Sequence, residues 1–278
     1  MGIIMSNYYK ISDVAKIIGI SSGLVRHYER LGIIKPKRSK NGYRNYTTRD
    51  INILTGSRRY IEMGFSLEAT EFLINEASLD DVINSLADME ESLKKEIRWK
   101  QLILNEVQQS KGKYKLIHKH NYKFPEFSIR NSPPVYRINC QNNMTIHIEE
   151  AVASNMEKWI EKLPVVRISP EFPVESIYNM TDSYYFGFLV DESLVEELEL
   201  INTPGIRFYP SRLCLTTIIK SEGDDHIRPS SLQDAIKYMI NNNMKMIDNA
   251  WGDTIGNYTV NGKHHRYHLI YIPIEYND

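Results

Sequence analysis

The residues best suited to chemistry lie close together near the N-terminus, and their types favour binding to a polyanion. The segment VRHYE places Arg26 beside His27, and the basic segment KPKRSKNGYRNYT follows shortly after it. The planar guanidinium group of arginine matches the oxygens of a phosphate. Contacts of this kind position a protein on a nucleic-acid backbone without reading its sequence, so DNA shape and deformability would supply much of the selectivity. The predicted DNA contacts are Ser21, Ser22, Gly23, Arg26, His27, Lys37, Arg38, Tyr43 and Arg44.

The charge of the chain is unevenly distributed. The 278 residues carry a formal net charge of -1, yet residues 1–60 hold twelve Lys or Arg and three Asp or Glu, a local charge of +9. Residues 61–110 hold four basic and eleven acidic residues, a local charge of -7. A basic block at one end is typical of a module that binds a polyanion. The alternative is a basic face that contacts only water.

Two short helices carry the first of these basic residues. Apolar residues recur at helical spacing from about 11 to 18 and from about 22 to 31, and a step at 19–21 separates the two helices. Two short helices joined by a tight turn form the helix-turn-helix pattern. Tyr28 shares a face with the apolar residues of the second helix, so we expect it to pack in the core. Arg26 remains available for phosphate.

A hairpin and two further helices follow. Asn41-Gly42 is a strong hairpin-turn signal, and residues 33–34 and 43–46 have the composition of strands. A hairpin directly after a helix-turn-helix is a wing. Further helices are predicted from about 48 to 63 and from about 66 to 76.

The next segment is predicted to be one long helix. Residues 79–111 contain neither proline nor glycine, and their apolar residues repeat at spacings of 3, 4, 4, 7 and 3. This pattern is typical of a coiled coil, and we favour a helix that forms a homodimer. The alternative is a helix that packs on its own domain. The predicted dimerisation residues are Leu86, Met89, Leu93, Ile97, Leu104 and Val107.

The C-terminal half changes from helical to mixed patterns. Four segments rich in β-branched and aromatic residues read as strands, at 135–140, 182–190, 212–220 and 265–274. Helical segments at 149–163 and 230–240 alternate with them, which indicates an α+β domain built from a duplicated strand-helix-strand unit. The predicted organisation is multidomain: an all-α winged helix-turn-helix domain at 1–76, a dimerisation helix at 79–111, a linker at 112–134 and an α+β domain at 135–278.

Cysteine content and hydropathy limit the cellular setting. Cys140 and Cys214 are too few for a disulfide framework and lie in apolar surroundings, so two buried free thiols are expected. No apolar run is long enough to span a membrane, and the N-terminus lacks the pattern of a signal peptide. A reducing cytoplasm is therefore expected, and no cofactor is predicted.

The N-terminal motifs resemble those of a known family. YYKISDVAKIIGIS, LVRHYERLGII, NGYRNYT and GFSLEA together resemble the N-terminal domain of MerR-family transcription activators. The resemblance implies a dimer joined by an antiparallel coiled coil. It also implies binding to a promoter whose spacer is too long, which is then untwisted and bent so that RNA polymerase engages both promoter elements.

Individual residues can be matched to this family's motifs. The positions implied to grip the DNA backbone are Arg26, Tyr43 and Arg44. His27 stands where the family usually has Tyr or Phe, and an imidazole contact would depend on pH. Asn45 stands where a tyrosine is common. We expect Glu29 to face solvent, where it would steer Arg30 or a wing lysine.

The C-terminal half resembles a second family. SYYFGF, SLQDAIKY and AWGDTIGNY resemble the GyrI-like effector domain of BmrR-type multidrug-binding regulators. The resemblance implies an aromatic-lined pocket for a bulky, apolar, often cationic small organic effector. Such a pocket is mostly apolar with a few polar groups, and aromatic faces attract cations. The alternative is that these rings form ordinary core. The predicted ligand contacts are Tyr136, Tyr184, Phe186, Phe188, Trp251, Asp253, Tyr267 and Tyr271.

One departure from that family concerns charge. The family commonly has a buried glutamate after an aromatic residue in the penultimate strand, where this chain has Gly252. A bulge at Gly252 would turn Asp253 inward in its place. Without that bulge the pocket lacks its carboxylate, and a neutral or anionic ligand becomes possible.

Three other functions were weighed against a drug-type effector. His118 and His120, or the cluster His264, His265 and His268, would be needed for a metal site, but neither group has typical ligand spacing. Hydrolase activity would require Cys140 or Cys214 with a histidine. A nucleotide-type effector would use the linker lysines. Those lysines are Lys111, Lys113, Lys115, Lys119 and Lys123.

Overall fold

In the computed structural model, residues 8–119, 126–142, 145–146 and 156–277 are described. The chain divides into two compact units, and the division falls after Trp99, within one long helix. Within the described residues, every helix is too short or too polar to cross a lipid bilayer.

The N-terminal unit is built around a helix-turn-helix, as predicted. Helix α1 spans Ile11–Ile18 and helix α2 spans Ser22–Arg30. Gly19 ends α1 in the left-handed conformation, with φ of 74°, which glycine adopts at no steric cost. Ser21 caps α2 by accepting a hydrogen bond from the Leu24 backbone N–H at 3.1 Å.

The wing is shorter than its sequence suggests. Strand β1, Lys37–Arg38, pairs antiparallel with strand β2, Arg44–Asn45. Gly42 takes a φ of 80° in the turn between them. Ile33 and Ile34 are not a strand; their side chains are buried in the core of the unit.

Three helices complete the unit and extend beyond it. Helix α3 spans Thr48–Glu62, helix α4 spans Leu67–Asn75 and helix α5 spans Leu79–Lys119. The prediction of α5 is corrected at its end, because the helix passes the expected stop at Gly112. A glycine inside a helix costs roughly 1 kcal/mol relative to alanine, and packing of the following turn offsets that cost. The predicted linker at 112–134 therefore begins with helix and also contains strand β3, Ser128–Asn131.

The C-terminal unit is a twisted sheet with a repeated order of strands. The strands after β3 are β4 Val135–Asn142, β5 Thr145–Ile146, β6 Arg167–Phe172, β7 Tyr185–Asp191, β8 Arg207–Tyr209, β9 Leu213–Glu222, β10 Met244–Met246, β11 Ala250–Val260 and β12 Lys263–Tyr276. The strands of the sheet run in the order β3-β9-β12-β11-β6-β7-β4-β5, while β10 pairs with β12 and β8 pairs with β4. The triplets β9-β12-β11 and β4-β7-β6 mirror each other and meet where β11 pairs with β6, as expected for the predicted duplication.

Helices follow the first strand of each triplet. Residues 156–160 are helical, and the rest of the helix predicted from 149 lies partly outside the described residues. In the second half, the helix Gln233–Asn241 matches its prediction. A short helix, Val174–Tyr178, lies between β6 and β7. The main core joins the Gln233–Asn241 helix to the sheet through Leu232, Ala235, Met239, Ile270 and Ile272.

Candidate nucleic-acid interface and ligand site

The predicted DNA contacts of the wing and α2 lie on the surface of the N-terminal unit. Arg26 is exposed on α2. The side chains of the wing are also exposed, and Tyr43 retains 76% of its accessible surface. The residues of the predicted set that are exposed are Ser21, Gly23, Arg26, Lys37, Arg38, Tyr43 and Arg44, while Ser22 and His27 are half-buried.

An ion pair between α2 and the wing was missed by sequence reasoning. The expectation that Glu29 faces solvent and steers Arg30 or a wing lysine is wrong. Instead, Arg44 Nε donates to both of its carboxylate oxygens, at 2.9 and 2.7 Å. The hydrogen bond and charge of Glu29 raise the pKa of Arg44. This charge-assisted, bifurcated hydrogen bond from one N–H links the wing to α2.

The aromatic side chains of α2 and the wing differ in burial. Tyr28 and Tyr46 are buried in the core of the N-terminal unit, as the helical spacing of Tyr28 predicted. The Tyr46 backbone also bridges Tyr9, with N–H to O distances of 2.8 and 3.1 Å. His27 Nδ1 lies 3.2 Å from Arg30 Nη2 on the same helix. The imidazole is half-buried and lies next to the Arg30 guanidinium rather than projecting alone.

The predicted dimerisation residues form an uncovered stripe along α5. Exposed fractions are 38% for Leu86, 42% for Leu93, 68% for Ile97, 48% for Leu104 and 56% for Val107. Met89 differs, because its side chain is half-buried, and a Cβ added at Gly64 would lie 3.5 Å from its Sδ.

The predicted ligand contacts do not form one pocket. Tyr184 and Phe186 contact each other edge to face within the main core. Trp251 stacks on Tyr271 with ring centroids 4.6 Å apart, in a separate cluster. Tyr267 belongs to a third cluster. The remaining two aromatic residues are Phe188, which is buried, and Tyr136, which contacts Phe208.

A completely buried carboxylate lies on β6, a strand for which none was predicted. Glu171 of β6 is completely buried and lies opposite Trp251 of β11 in the register of the sheet. Its Oε2 accepts hydrogen bonds from Arg137 Nη1 at 2.7 Å and Asn139 Nδ2 at 2.6 Å. Its Oε1 accepts from the Tyr209 hydroxyl at 2.8 Å and Asn249 Nδ2 at 2.7 Å.

These four donors keep Glu171 ionised. Burial alone would raise its pKa, but the charge of Arg137 and the hydrogen bonds from Asn139 and Asn249 lower the pKa to about 2. Arg137 is itself buried and also donates to the Ser169 hydroxyl at 2.8 Å. The site therefore holds a neutralised ion pair rather than a free negative charge.

The proposed bulge at Gly252 is wrong. Gly252 and Asp253 pair in regular register with β12, and the shift in register falls between Thr254 and Gly256. A Cβ at position 252 would lie 2.5 Å from Ile270 Cδ1 and 2.8 Å from the Leu269 carbonyl oxygen, so glutamate cannot fit there.

Asp253 is nevertheless buried, in an ion-pair network with α5. Its Oδ2 lies 2.8 Å from Lys113 Nζ and 3.3 Å from Arg167 Nε. Arg167 Nη2 also contacts Asp191 Oδ1 at 2.7 Å. Lys113, expected in a solvated linker, therefore ties α5 to the sheet.

Two adjoining clefts lie beside Glu171. One has a volume of about 230 Å³ and is lined in part by Arg207, Tyr209, Asn249 and Trp251. The other has a volume of about 340 Å³ and is lined in part by Asn139, Arg207 and Asn249. We refer to both together as the Arg207 cleft. Of the predicted ligand contacts, Trp251 alone lines either part of it.

The groups considered for metal binding and hydrolysis lie apart. Within the described residues, no three His, Cys, Asp or Glu side chains are grouped to hold a metal ion, and His120 lies outside those residues. His268 is buried and hydrogen-bonds Thr254, and burial together with Arg266 lowers its pKa to about 3. Burial raises the pKa of Cys140 to about 11, which disfavours the nucleophilic thiolate.

The raised pKa of the second thiol has the same cause. Cys214 is buried, and burial raises its pKa. Burial therefore disfavours the thiolate form of both cysteines.

Comparison with known proteins identifies the N-terminal motif. Residues 9–75 match the family described as MerR HTH family regulatory protein. The HTH-type transcriptional regulator CueR of Escherichia coli is 48% identical over 66 residues, which make up 23% of this chain and 49% of that protein. The chain thus spans about half the length of the curated relatives it matches. The N-terminal unit contains a MerR-type helix-turn-helix domain.

Solved structures give low overall similarity. The N-terminus of MtaN, the Bacillus subtilis multidrug transporter activator, gives a TM-score of 0.34 at 24% identity, covering 36% of this chain and 95% of that chain. EcmrR in a DNA complex gives a TM-score of 0.34 at 15% identity, covering 97% of this chain and 100% of that chain.

Proposed function

We propose that this protein is a dimeric, ligand-controlled transcription regulator that binds promoter DNA through its N-terminal unit. The observation that carries the proposal is the MerR-type match at 9–75, in which helix α2 and the wing expose the basic side chains of Arg26, Lys37, Arg38 and Arg44. Such a surface supplies the electrostatic part of DNA affinity. RNA polymerase is the proposed partner at the promoter.

The proposed mechanism is a shift between two states of a bound complex. The regulator occupies a promoter with an over-long spacer whether or not the effector is present, and the effector favours the state that distorts the DNA. In vitro transcription from the DNA upstream of its own gene tests this. Transcription that stays constant across a panel of small organic ligands, while footprinting shows DNA still bound, would contradict ligand control.

The DNA interface gives a specific prediction. We expect Arg26→Ala to weaken binding to the upstream DNA by about tenfold, as expected for a charge-assisted contact worth roughly 1.5 kcal/mol. Because Arg26 is expected to contact phosphate, the plot of log affinity against log salt should lose about one unit of slope. Fluorescence anisotropy at several salt concentrations measures both quantities.

A matched control separates a contact from a general charge effect. Lys95→Ala removes one positive charge from an exposed position on α5. We expect this variant to keep the affinity and the salt slope of the wild type. An equal loss in the two variants would remove Arg26 from the interface.

The uncovered stripe on α5 supports the proposed homodimer. Because Ile97 and Leu104 are exposed in the single chain, a partner helix would bury them. We expect the double variant Ile97→Glu and Leu104→Glu to sediment as a monomer at micromolar concentration. Gln101→Glu, at an exposed position on the same helix, should remain dimeric. A monomeric wild type in sedimentation velocity would contradict the proposal.

The effector is proposed to bind the C-terminal unit at the Arg207 cleft. The cleft combines an aromatic side chain with hydrogen-bonding groups, as small-molecule sites usually do. It also lies where the two mirrored strand triplets meet, beside the β6–β11 pairing.

A further inference from the structure

The charged side chains in and below the Arg207 cleft differ in whether they already have a close partner of opposite charge. Arg212 and Asp248, which line the smaller part, pair with each other at 2.8 Å. Below the cleft, Arg137 and Glu171 pair at 2.7 Å. Arg207 differs, because its side chain is 64% exposed and lies 4.0 Å from Glu171 Oε1. Within the described part of the chain, Arg207 has no closer carboxylate.

Glu171 cannot satisfy Arg207 as well. It already accepts four hydrogen bonds, from Arg137, Asn139, Tyr209 and Asn249. Two carboxylate oxygens offer about four lone-pair sites, so these donors fill them. The guanidinium of Arg207 therefore keeps its donors for a group that enters the cleft.

The same occupancy argues against a cationic ligand. A cation that approached Glu171 would have to displace Arg137, and breaking that buried pair leaves an uncompensated charge. Asp248 is already neutralised by Arg212 in a partly exposed pair. Glu175 also lines the larger part, but it is exposed to water on the short helix after β6. Water weakens an ion pair with Glu175 and one with Arg207 alike, but Arg207 lines both parts of the cleft and lies beside Tyr209 and Trp251, whereas Glu175 lines the larger part alone.

We propose that the Arg207 cleft binds an aromatic organic anion, with the carboxylate or similar acid paired to Arg207 and the ring placed against Trp251 and Tyr209. This inference rests on the proposed ligand control and names the chemical class of the effector. Arginine recognises a carboxylate through two parallel hydrogen bonds, which lysine cannot reproduce. Trp251 and Tyr209 lie with ring centroids 6.1 Å apart, edge to face, and both line the smaller part of the cleft.

Three probes with one ring system test the charge preference on the full chain. Isothermal titration calorimetry would compare 2-naphthoate, neutral 2-naphthamide and cationic 2-naphthylmethylammonium. We expect 2-naphthoate to bind about tenfold tighter than either of the others, which corresponds to one charge-assisted interaction. Arg207→Gln should remove this preference, and Arg207→Lys should restore part of it.

Control variants keep the result interpretable. Lys237→Gln removes a positive charge from an exposed ion pair on the Gln233–Asn241 helix and should leave the preference unchanged. Because Arg207 is largely exposed, its variants should keep the melting temperature of the wild type. Tightest binding by the cation, no binding of 2-naphthoate, or a preference that survives Arg207→Gln would each overturn the inference. DNA footprinting on the same protein shows separately whether the proposed function stands.

Discussion

Replacing Glu171 with glutamine should destabilise the C-terminal unit by about 3–5 kcal/mol, the cost of removing one partner from a buried ion pair. Glu171 and Arg137 have side chains exposed to 0% and 1%. The substitution leaves the Arg137 guanidinium charged and without its counter-ion in the protein interior. Urea unfolding followed by near-ultraviolet circular dichroism, which reports the Trp251–Tyr271 stack, measures the loss.

A surface carboxylate provides the matched control. The pKa of Glu222 is also lowered to about 2, by hydrogen bonds from Lys220 and Lys263 and by their charges. Glu222 lies at the surface, where water and salt screen such pairs. Glu222→Gln should therefore change the free energy of unfolding little. If the two glutamine variants behaved alike, burial would not be the cause of the effect at Glu171.

A double variant tests whether the unpaired charge on Arg137 causes the loss of stability in Glu171→Gln. Glu171→Leu with Arg137→Met removes both charges and keeps similar volume, so we expect it to recover much of the stability lost in Glu171→Gln. Recovery would be incomplete, because Asn139, Tyr209 and Asn249 would lose their acceptor. A double variant less stable than Glu171→Gln would contradict the view that an unpaired charge dominates the loss.

The pH dependence of Glu171 has a defined sign. Its pKa is lowered from 4.5 in the unfolded chain to about 2 in the folded protein. Its contribution is therefore fully present above about pH 4.5 and is lost as the pH falls toward 2. The shift corresponds to about 3 kcal/mol. Unfolding of Glu171→Gln in urea should consequently lack this part of the acid dependence of the wild type.

The N-terminal unit could be predicted largely from local sequence. Helical spacing places Val14, Val25 and Tyr28 on core faces, and Gly19 and Ser21 mark the helix boundaries. Helical spacing and cap residues depend on neighbours only a few positions away, so they can be recognised in the sequence itself. The Glu29–Arg44 pair escaped prediction because it joins residues fifteen apart across a turn, which helical spacing does not relate.

The candidate ligand site could not be predicted in the same way. Glu171 follows Pro170 in the segment VVRISPEFPV, and proline argues against a central strand. Its partners Arg137 and Asn249 are 34 and 78 residues away in the sequence. Only the folded sheet brings them together, so the sole sequence signal was an acidic residue within an apolar stretch. The prediction that the aromatic residues line one pocket was wrong for a related reason. Alternation along a strand shows which rings share a face, but not which of several clusters each ring joins.

Truncation of Ile117 to alanine should destabilise the C-terminal unit by about 2–4 kcal/mol, as for other buried aliphatic side chains. Ile117 lies in the last turns of α5 and is 1% exposed, where it packs with Ile218, Ile255 and Tyr267. Its Cδ1 lies so close to Gly256 that a Cβ there would approach within 2.8 Å. Near-ultraviolet circular dichroism in urea would measure the change.

The neighbouring residue is the control, because Leu116 is 42% exposed on the same turn. Leu116→Ala should cost clearly less than Ile117→Ala. Other residues of α5 near Ile117 also contact the sheet. The Tyr114 hydroxyl accepts a hydrogen bond from the Asn257 N–H at 3.0 Å, and Lys113 forms an ion pair with Asp253. Comparing the stability losses of the two alanine variants therefore isolates the contribution of the buried Ile117 side chain.

Lys113 pairs with Asp253, two residues beyond Trp251 on β11, so the strand that borders the Arg207 cleft also holds the end of α5. If the helix end merely rested on the sheet, both alanine variants would lose similar, small amounts of stability. A large loss confined to Ile117 would show that the end of α5 folds as part of the C-terminal unit.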